Sequence, residues 1–375
     1  MDENNNTSTP NTDAQTKKLS IPVQIAFLVT VCTLLFLYVS GICGAIGFIL
    51  VPVAVAMNVL LAFEFDNSKA KLLVLLLINL IPFVAAGVYF QSVALSLGAL
   101  YALMMSLPMW LTVRMGYGRS ASIASAAICA MLVWCAGFAL LIIAEYGAFN
   151  AQTLGALLDT MLEPYIDYLS SLFDGSEGEI GIRLTGADLD MIRYYFKTMF
   201  FGSVAVAMIV WSYVATLAVR LVASVFGVSH RIPRGYRIGV LATITKDGPK
   251  VEVFREEVVW RVSIDNITVA IYVASYIISV LFSPTGKAAL SAYLVAINLV
   301  MILSPGFFYC GVRDALLSFR GKSATSNFGR IVAIIAAVLI LVSPTSVVFI
   351  FSALGVVVTV RENRAARSMQ KSGKE

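Results

Sequence analysis

The chain has 375 residues, of which 59% are hydrophobic and only 13% are charged, with a formal net charge of +5. Soluble domains carry about a quarter charged residues, so this composition excludes an ordinary soluble domain. The apolar residues form runs of about 20, long enough at 1.5 Å per residue to cross a hydrocarbon core of roughly 30 Å. A membrane β-barrel needs short alternating segments instead. We therefore predict an all-α, polytopic membrane protein.

The apolar runs predict about nine transmembrane segments, within a range of 8–10. Five of them are expected near 21–40, 43–63, 71–89, 92–113 and 121–144. The predicted organisation, in chain order, is a disordered cytoplasmic tail (1–20), a five-span N-terminal bundle (21–145), an external acidic helical segment (146–197), a central span (198–226), a basic cytoplasmic loop with a hairpin (227–264), C-terminal membrane spans (265–360) and a basic cytoplasmic tail (361–375).

Small residues recur at helical spacing in two of the N-terminal spans. We expect close helix packing on these faces rather than ligand binding, because small side chains let two membrane helices approach closely. The residues are Gly41, Gly44 and Gly47 in the first long run, and Ser122, Ala126 and Ala130 in the fifth span.

The segment 150–173 has a different pattern from the spans. Asp159, Glu163 and Asp167 share one side. The apolar residues that recur at helical spacing on the other side are Leu154, Leu157, Leu158, Met161, Leu162, Tyr165, Leu169 and Leu172. This pattern predicts an amphipathic helix on the outer surface or capping the bundle. The pair Thr185 and Asp188 resembles a capping box, so the next helix is expected to begin near residue 186 and run into the central span.

The central span, Met199–Val219, contains no charge and separates an acidic segment from a basic one. Because basic loops stay on the cytoplasmic side, it is predicted to run from outside to inside, with the N-terminus of the chain in the cytoplasm. In the basic segment, two β-prone runs flank Asp247-Gly248 within Val240–Phe254, which predicts a small hairpin.

Two further spans are expected near 266–282 and 288–312. The last apolar run, 331–360, has basic flanks on both sides and Pro344 in its middle. Its flanks favour an even number of crossings, but 30 residues are too few for two full spans. A broken or re-entrant helical hairpin and a single tilted span both stay open.

Candidate site residues are few, because no span carries a charge near its centre. The intramembrane polar or pocket candidates are Asn58, Asn79, Asn298, Trp134 and Trp211. The single histidine, His230, and five cysteines without a CxxC pair give little material for a metal site or nucleophilic catalysis. No phosphate-binding or hydrolase motif occurs. We expect no enzyme, no cofactor, no metal site and no nucleic-acid partner.

Several motifs stand in a recognisable order: an arginine-glycine turn, RMGYGRS, an external helix, LLDTMLEPYIDYL, a long span ending in VRLVASVF, and then a basic element and a late polar span. The residues of these last two parts are Phe254, Arg255, Glu256, Trp260, Arg261, Asn298 and Gly311. This order resembles the YybS-like family of uncharacterised bacterial membrane proteins, which is similar to the substrate-binding subunits of energy-coupling-factor transporters.

The resemblance implies a small-molecule-binding or transport subunit in the cell membrane, with an ATPase module or another membrane protein as partner. The alternative is a non-transport scaffold of the cell envelope, interacting with wall-synthesis or division proteins. The lipid bilayer is a partner in either case.

Overall fold

A computed structural model gives the fold of the chain. It describes residues 19–40, 47–174, 186–228, 234–245, 248–259, 262–281, 287–318, 331, 334–335 and 344–372. Most of the predicted N-terminal tail, and both Gly41 and Gly44, therefore lie outside the described residues, as does Thr185 of the predicted capping box.

Helices account for most of the described chain. In the first half these are α1 (Ile21–Val39), α2 (Gly47–Phe65), α3 (Lys69–Phe90), α4 (Val93–Ser96), α5 (Tyr101–Arg114), α6 (Arg119–Tyr146), α7 (Ala151–Asp174) and α8 (Gly186–Val225), with a 3-10 turn (Leu97–Leu100) before α5. After them come β1 (Arg234–Thr245), β2 (Gly248–Val259), α9 (Asn266–Leu281), α10 (Lys287–Ser318) and α11 (Pro344–Ser372).

Local side-chain chemistry explains where several helices begin and end. The Ser68 hydroxyl accepts a hydrogen bond from the Lys71 N–H at 3.4 Å and caps α3. Gly147, with φ of +75°, ends α6 in the left-handed conformation that glycine adopts without strain. Three residues later, the Asn150 side chain accepts from the N–H groups of Gln152 and Thr153, both at 2.9 Å, and starts α7.

One hydrophobic core joins α1, α2, α5, α6 and α8. The predicted central span lies within α8, and its residues Trp211, Ala215 and Val219 are buried in that core. Helix α8 contacts α2, α6 and α10, so it connects the N-terminal helices to the C-terminal group.

Six of the described helical segments are long and apolar enough to cross a membrane, where the sequence predicted nine crossings. They are Ile21–Val39, Lys69–Phe90, Leu97–Arg114, Arg119–Tyr146, Asp188–Val225 and Leu290–Ser318. Two shorter apolar helical segments, Ile49–Phe65 and Asn266–Leu281, account for part of the difference. Both shorter segments border residues outside the described part of the chain, namely 41–46 before α2 and 282–286 after α9. The chain is thus a helical membrane protein with six helices of spanning length in its described part.

Helix α7 packs on α6 and α8 through one apolar face, as an amphipathic helix should. Its Leu157 and Leu158 are buried against Phe138 and Ile142 of α6. The ammonium group of Lys197 in α8 donates to an Asp159 carboxylate oxygen at 2.7 Å. The buried face is rotated relative to the predicted one. Ile166 is buried, whereas the predicted face members Met161 and Tyr165 are exposed.

Strands β1 and β2 pair in antiparallel register from Arg234↔Val259 to Thr245↔Gly248. The paired strands extend six residues before Val240 and five residues beyond Phe254, the limits expected from the sequence. Asp247 lies outside the described residues.

The C-terminal helices form a second packed group. Val269 and Tyr272 of α9 and Val300 and Phe307 of α10 share a core, and α10 and α11 are in close contact.

Helix α11 is described from Pro344 to Ser372, so residues 361–372 of the predicted basic tail are helical and continue the last apolar segment. The Asn363 amide donates to the Asn266 side chain at 2.9 Å and holds the tail against α9. Residues 332–333 and 336–343 lie outside the described residues, so the number of crossings in 331–360 stays a prediction.

Candidate functional site

A groove of about 320 Å³ lies between α2, α3 and α5. Its walls are mostly leucine, and Leu73 on its outer side is 57% exposed, so the groove opens on the apolar outer face of the helices. The lining residues are Asn58, Ala62, Lys69, Leu72, Leu73, Leu75, Leu76, Leu103, Ser106, Leu107 and Trp110. An apolar concavity with a few polar groups is the usual form of a small-molecule site.

Two predicted polar candidates, Asn58 of α2 and Asn79 of α3, face each other beside this groove. The Asn58 amide donates to the Asn79 oxygen at 2.7 Å, and the Asn79 amide donates back at 3.1 Å. Asn79 also donates to the Leu75 carbonyl at 2.9 Å. The pair is buried and joins α2 to α3, and Asn58 alone of the two lines the groove.

Trp110 is the groove residue with an unused polar group. Its side chain is 8% exposed, and its indole Nε1 is buried without a hydrogen-bond partner in the described part of the chain. The Arg114 guanidinium lies 5.5 Å from its ring centroid and 3.1 Å from an Asp66 carboxylate oxygen. A buried indole N–H normally finds an acceptor, so an unpartnered one in a residue that lines the groove is unusual.

Besides Asn58 and Trp110, two other residues with polar groups line the groove, Lys69 and Ser106. Lys69, in the first turn of α3, is exposed and forms no ion pair with the described residues. The Ser106 hydroxyl is already engaged, since it donates to the Leu103 carbonyl at 3.1 Å. The groove therefore has a mostly apolar wall, with an unpartnered indole and a lysine among its lining residues.

The third predicted asparagine, Asn298, lies elsewhere, between α8 and α10. Its amide donates to the Thr198 carbonyl at 3.0 Å and to the Leu294 carbonyl at 2.8 Å. Gly202 makes room for it, because a Cβ there would overlap the Asn298 side-chain oxygen. That oxygen is buried without a partner in the described part of the chain.

The two predicted tryptophans lie in separate aromatic clusters away from the groove. Trp134 stacks on Phe138 with ring centroids 4.7 Å apart, near Phe200 of α8. Trp211 lies edge-on to Tyr101 at 5.4 Å. The five pocket candidates thus occupy four places, and the structure does not bring them together into one site.

The small-residue stripe of α6 lies inside the N-terminal core. Ser122, Ala126 and Ala130 are all fully buried, and the Ser122 and Thr112 hydroxyls are 2.7 Å apart, joining α6 to α5. Of the three predicted packing glycines, only Gly47 lies within the described residues, as the first described residue of α2.

Sequence reasoning missed Trp110, Ser106 and Lys69. Trp110 lies near a span end, where an aromatic side chain is normal at the membrane interface, and nothing in its sequence context distinguishes it. Its missing acceptor is visible only after α2, α3 and α5 are packed together.

Within the described residues, no group of three or more His, Cys, Asp or Glu side chains is placed to hold a metal ion. Comparison of the chain with protein-family models, curated proteins and solved structures finds no match.

Proposed function

We propose that this membrane protein binds a small amphipathic molecule in the groove between α2, α3 and α5. The observation that carries the proposal is the buried, unpartnered Nε1 of Trp110 in an otherwise leucine-lined wall. Burying a polar group without a partner costs free energy, so a ligand with an acceptor beside an apolar body would gain both the hydrogen bond and the apolar contact.

The size and position of the groove support the same proposal. Its volume of about 320 Å³ is at the lower end of the range typical of small-molecule pockets. The exposure of Leu73 suggests entry from the side, through the bilayer. In this proposal the protein resides in the cell membrane with its N-terminus in the cytoplasm, and Lys69 lies near the cytoplasmic surface.

The resemblance to the YybS-like family and to energy-coupling-factor substrate-binding subunits extends the proposal from binding to transport. The protein would then deliver its ligand with the help of a partner ATPase module. Co-purification of such a module from the native membrane supports this extension, and its absence leaves a binding protein without transport.

Thermal unfolding in nanodiscs with a panel of vitamin-like and other amphipathic molecules tests the binding proposal. We expect at least one compound to raise the melting temperature of the wild type. Trp110→Phe keeps the ring but removes the N–H, and should weaken binding about tenfold, the value of one hydrogen bond. Leu107→Trp should fill the groove and abolish binding.

Trp134→Phe is the matched control, because Trp134 lies outside the groove. Melting temperatures without ligand show whether each variant folds. The proposal fails if no compound stabilises the wild type, or if Trp110→Phe and Trp134→Phe weaken binding equally.

A scaffold function is the second candidate, and α7 favours it. Met161, Tyr165 and Tyr168 are exposed at i, i+4 and i+7 on this helix, and exposed aromatic stripes are frequent in protein interfaces. Tyr165→Ala with Tyr168→Ala should then disperse a localised membrane fluorescence and release wall-synthesis or division partners. Uniform fluorescence of the wild type would exclude this function.

A further inference from the structure

A second place in the molecule has an unused polar group, and it is charged. Arg119 is the first residue of α6 and, among the described residues, the largest fully buried side chain, with 1% exposure. Its Nε donates to the Thr216 hydroxyl of α8 at 2.8 Å. Its Nη2 is buried and has no hydrogen-bond partner in the described part of the chain.

Arg119 also has no acidic partner among the described residues. The contrast with Arg313 is informative, since that partly buried arginine meets the Glu362 carboxylate at 2.8 Å. A buried charge without a counter-charge is strongly unfavourable. The neutral Thr216 hydroxyl satisfies one donor of Arg119 but does not compensate the charge.

Two tyrosines complete the surroundings of Arg119. The guanidinium carbon lies 4.6 Å from the ring centroid of Tyr213, and the rings of Tyr213 and Tyr309 are 5.2 Å apart. A tyrosine face attracts a cation, and Tyr213 also shares a side-chain hydrogen bond with Arg119, but Nη2 itself stays without a partner. Both tyrosines are half-buried, so the cluster reaches the protein surface through them.

The position of Arg119 adds a second attraction for an anion. It starts a helix of 28 residues, and the N-terminus of a helix carries a partial positive charge with free N–H groups. Arg220, one turn beyond Thr216 on α8, adds to the positive charge of this region. An anion at this place would meet a guanidinium donor, a helix N-terminus and two phenol groups.

We propose that Arg119, with Tyr213 and Tyr309, binds a phosphate group. A guanidinium donates two parallel hydrogen bonds to phosphate oxygens, which a single ammonium group does not. Arg119 lies at the end of a helix of spanning length. The ends of such a helix lie at the depth of the phospholipid headgroups. The source we favour is therefore the phosphodiester of an anionic phospholipid, and the shared chemistry also admits free phosphate.

Native mass spectrometry of the full chain from nanodiscs tests this proposal. The wild type should retain phosphatidylglycerol in preference to phosphatidylcholine. Arg119→Lys keeps the charge but loses the paired donors, and Tyr309→Phe loses only a hydroxyl. We expect a loss of lipid retention of about tenfold for Arg119→Lys, the effect of one lost hydrogen bond of ordinary strength, and a smaller loss for Tyr309→Phe.

Arg364→Gln is the matched control, since this arginine of α11 is exposed and its replacement should not change lipid retention. Inorganic phosphate is added in a separate arm. If phosphate binds to the delipidated wild type but not to Arg119→Lys, while both lipids are retained equally, the site stands with free phosphate as its ligand. If Arg119→Lys and Tyr309→Phe match the wild type in both arms, the proposal is overturned.

Discussion

Gly311 of α10 and Gly355 of α11 lie backbone against backbone, and the contact is reciprocal. A Cβ on Gly311 would overlap the Phe351 carbonyl, and a Cβ on Gly355 would overlap the Phe307 carbonyl. Phe307 and Phe351 each precede their glycine by four residues, so the two helices cross in nearly equivalent ways. Close backbone approach at small residues is a common means of association between membrane helices.

Gly311→Ala and Gly355→Ala should each destabilise the C-terminal group. The added methyl group meets backbone, which yields less easily than a side chain, and we expect a cost of about 1–3 kcal/mol. Thermal unfolding in nanodiscs measures the effect. Gly155→Ala in α7 is the control, because its Cβ would meet nothing within 4 Å, and there the higher helix propensity of alanine should stabilise slightly. Equal stability of all three variants would contradict the close crossing.

Arg313 and Glu362 form the most buried ion pair between described residues, with side chains 16% and 11% exposed. Glu362→Gln should leave the Arg313 charge uncompensated, at a cost of about 3–5 kcal/mol. The exposed pair Arg193 and Glu163, 3.9 Å apart, gives the control. Glu163→Gln should cost less than about 1 kcal/mol.

The double variant Arg313→Met with Glu362→Leu distinguishes the effect of an unpaired charge from the effect of losing other side-chain contacts. Removing both charges should restore most of the stability lost in Glu362→Gln, because no buried charge is then left alone. A double variant less stable than Glu362→Gln would show that Arg313 acts mainly through its other contacts.

Sequence reasoning located the helices well and the contacts between them poorly. Helix α6 lies within two residues of the predicted 121–144, and the predicted continuous helix through the central span is described from Gly186 to Val225. These features depend on apolar length and local caps, which a sequence carries. The predicted span count includes apolar runs that border undescribed residues, such as 41–46 and 336–343, so it stays a prediction.

The candidate sites depended on pairing across helices, which a single sequence does not contain. Asn58 and Asn79 were singled out as polar residues in apolar spans, but their reciprocal bonding needs α2 and α3 to be placed together. Arg119 was read as part of a turn, and its burial follows from the packing of α6 on α8. A charged residue at the end of a span is ordinary in a membrane-protein sequence. Arg119 is therefore distinguished only by its burial and by the missing hydrogen-bond partner of its Nη2.

The hydrogen-bonded pair of Asn58 and Asn79 should contribute little to the free energy of unfolding, but the effects of replacing its two members should be strongly coupled. Asn79→Leu leaves the Asn58 amide buried without its partner, and we expect a cost of about 0.6–1.7 kcal/mol, the range for such bonds in membrane proteins. The double variant Asn58→Leu with Asn79→Leu should be at least as stable as the single variant. Thermal unfolding of the four proteins in a double-mutant cycle gives the coupling, and purely additive effects would contradict the reciprocal bonds.

Asp265 gives a pH-dependent test of the start of α9. Its carboxylate accepts from the Thr268 N–H at 2.8 Å, and hydrogen bonds from Thr268 lower the pKa of Asp265 below its usual value of 3.8. A pKa that is lower in the folded protein means that the carboxylate stabilises the fold above pH 3.8 and loses that effect as the pH falls through the lowered pKa. Asp265→Ala should therefore cost about 1 kcal/mol of folding free energy at neutral pH, and the difference from the wild type should shrink in acid.

Asp265→Asn is the control, because it keeps a cap acceptor without a charge and its stability should not depend on this titration. Melting temperatures of the three proteins from pH 7 down through 3.8 test this, and an unchanged gap between wild type and Asp265→Ala would rule out a charged cap.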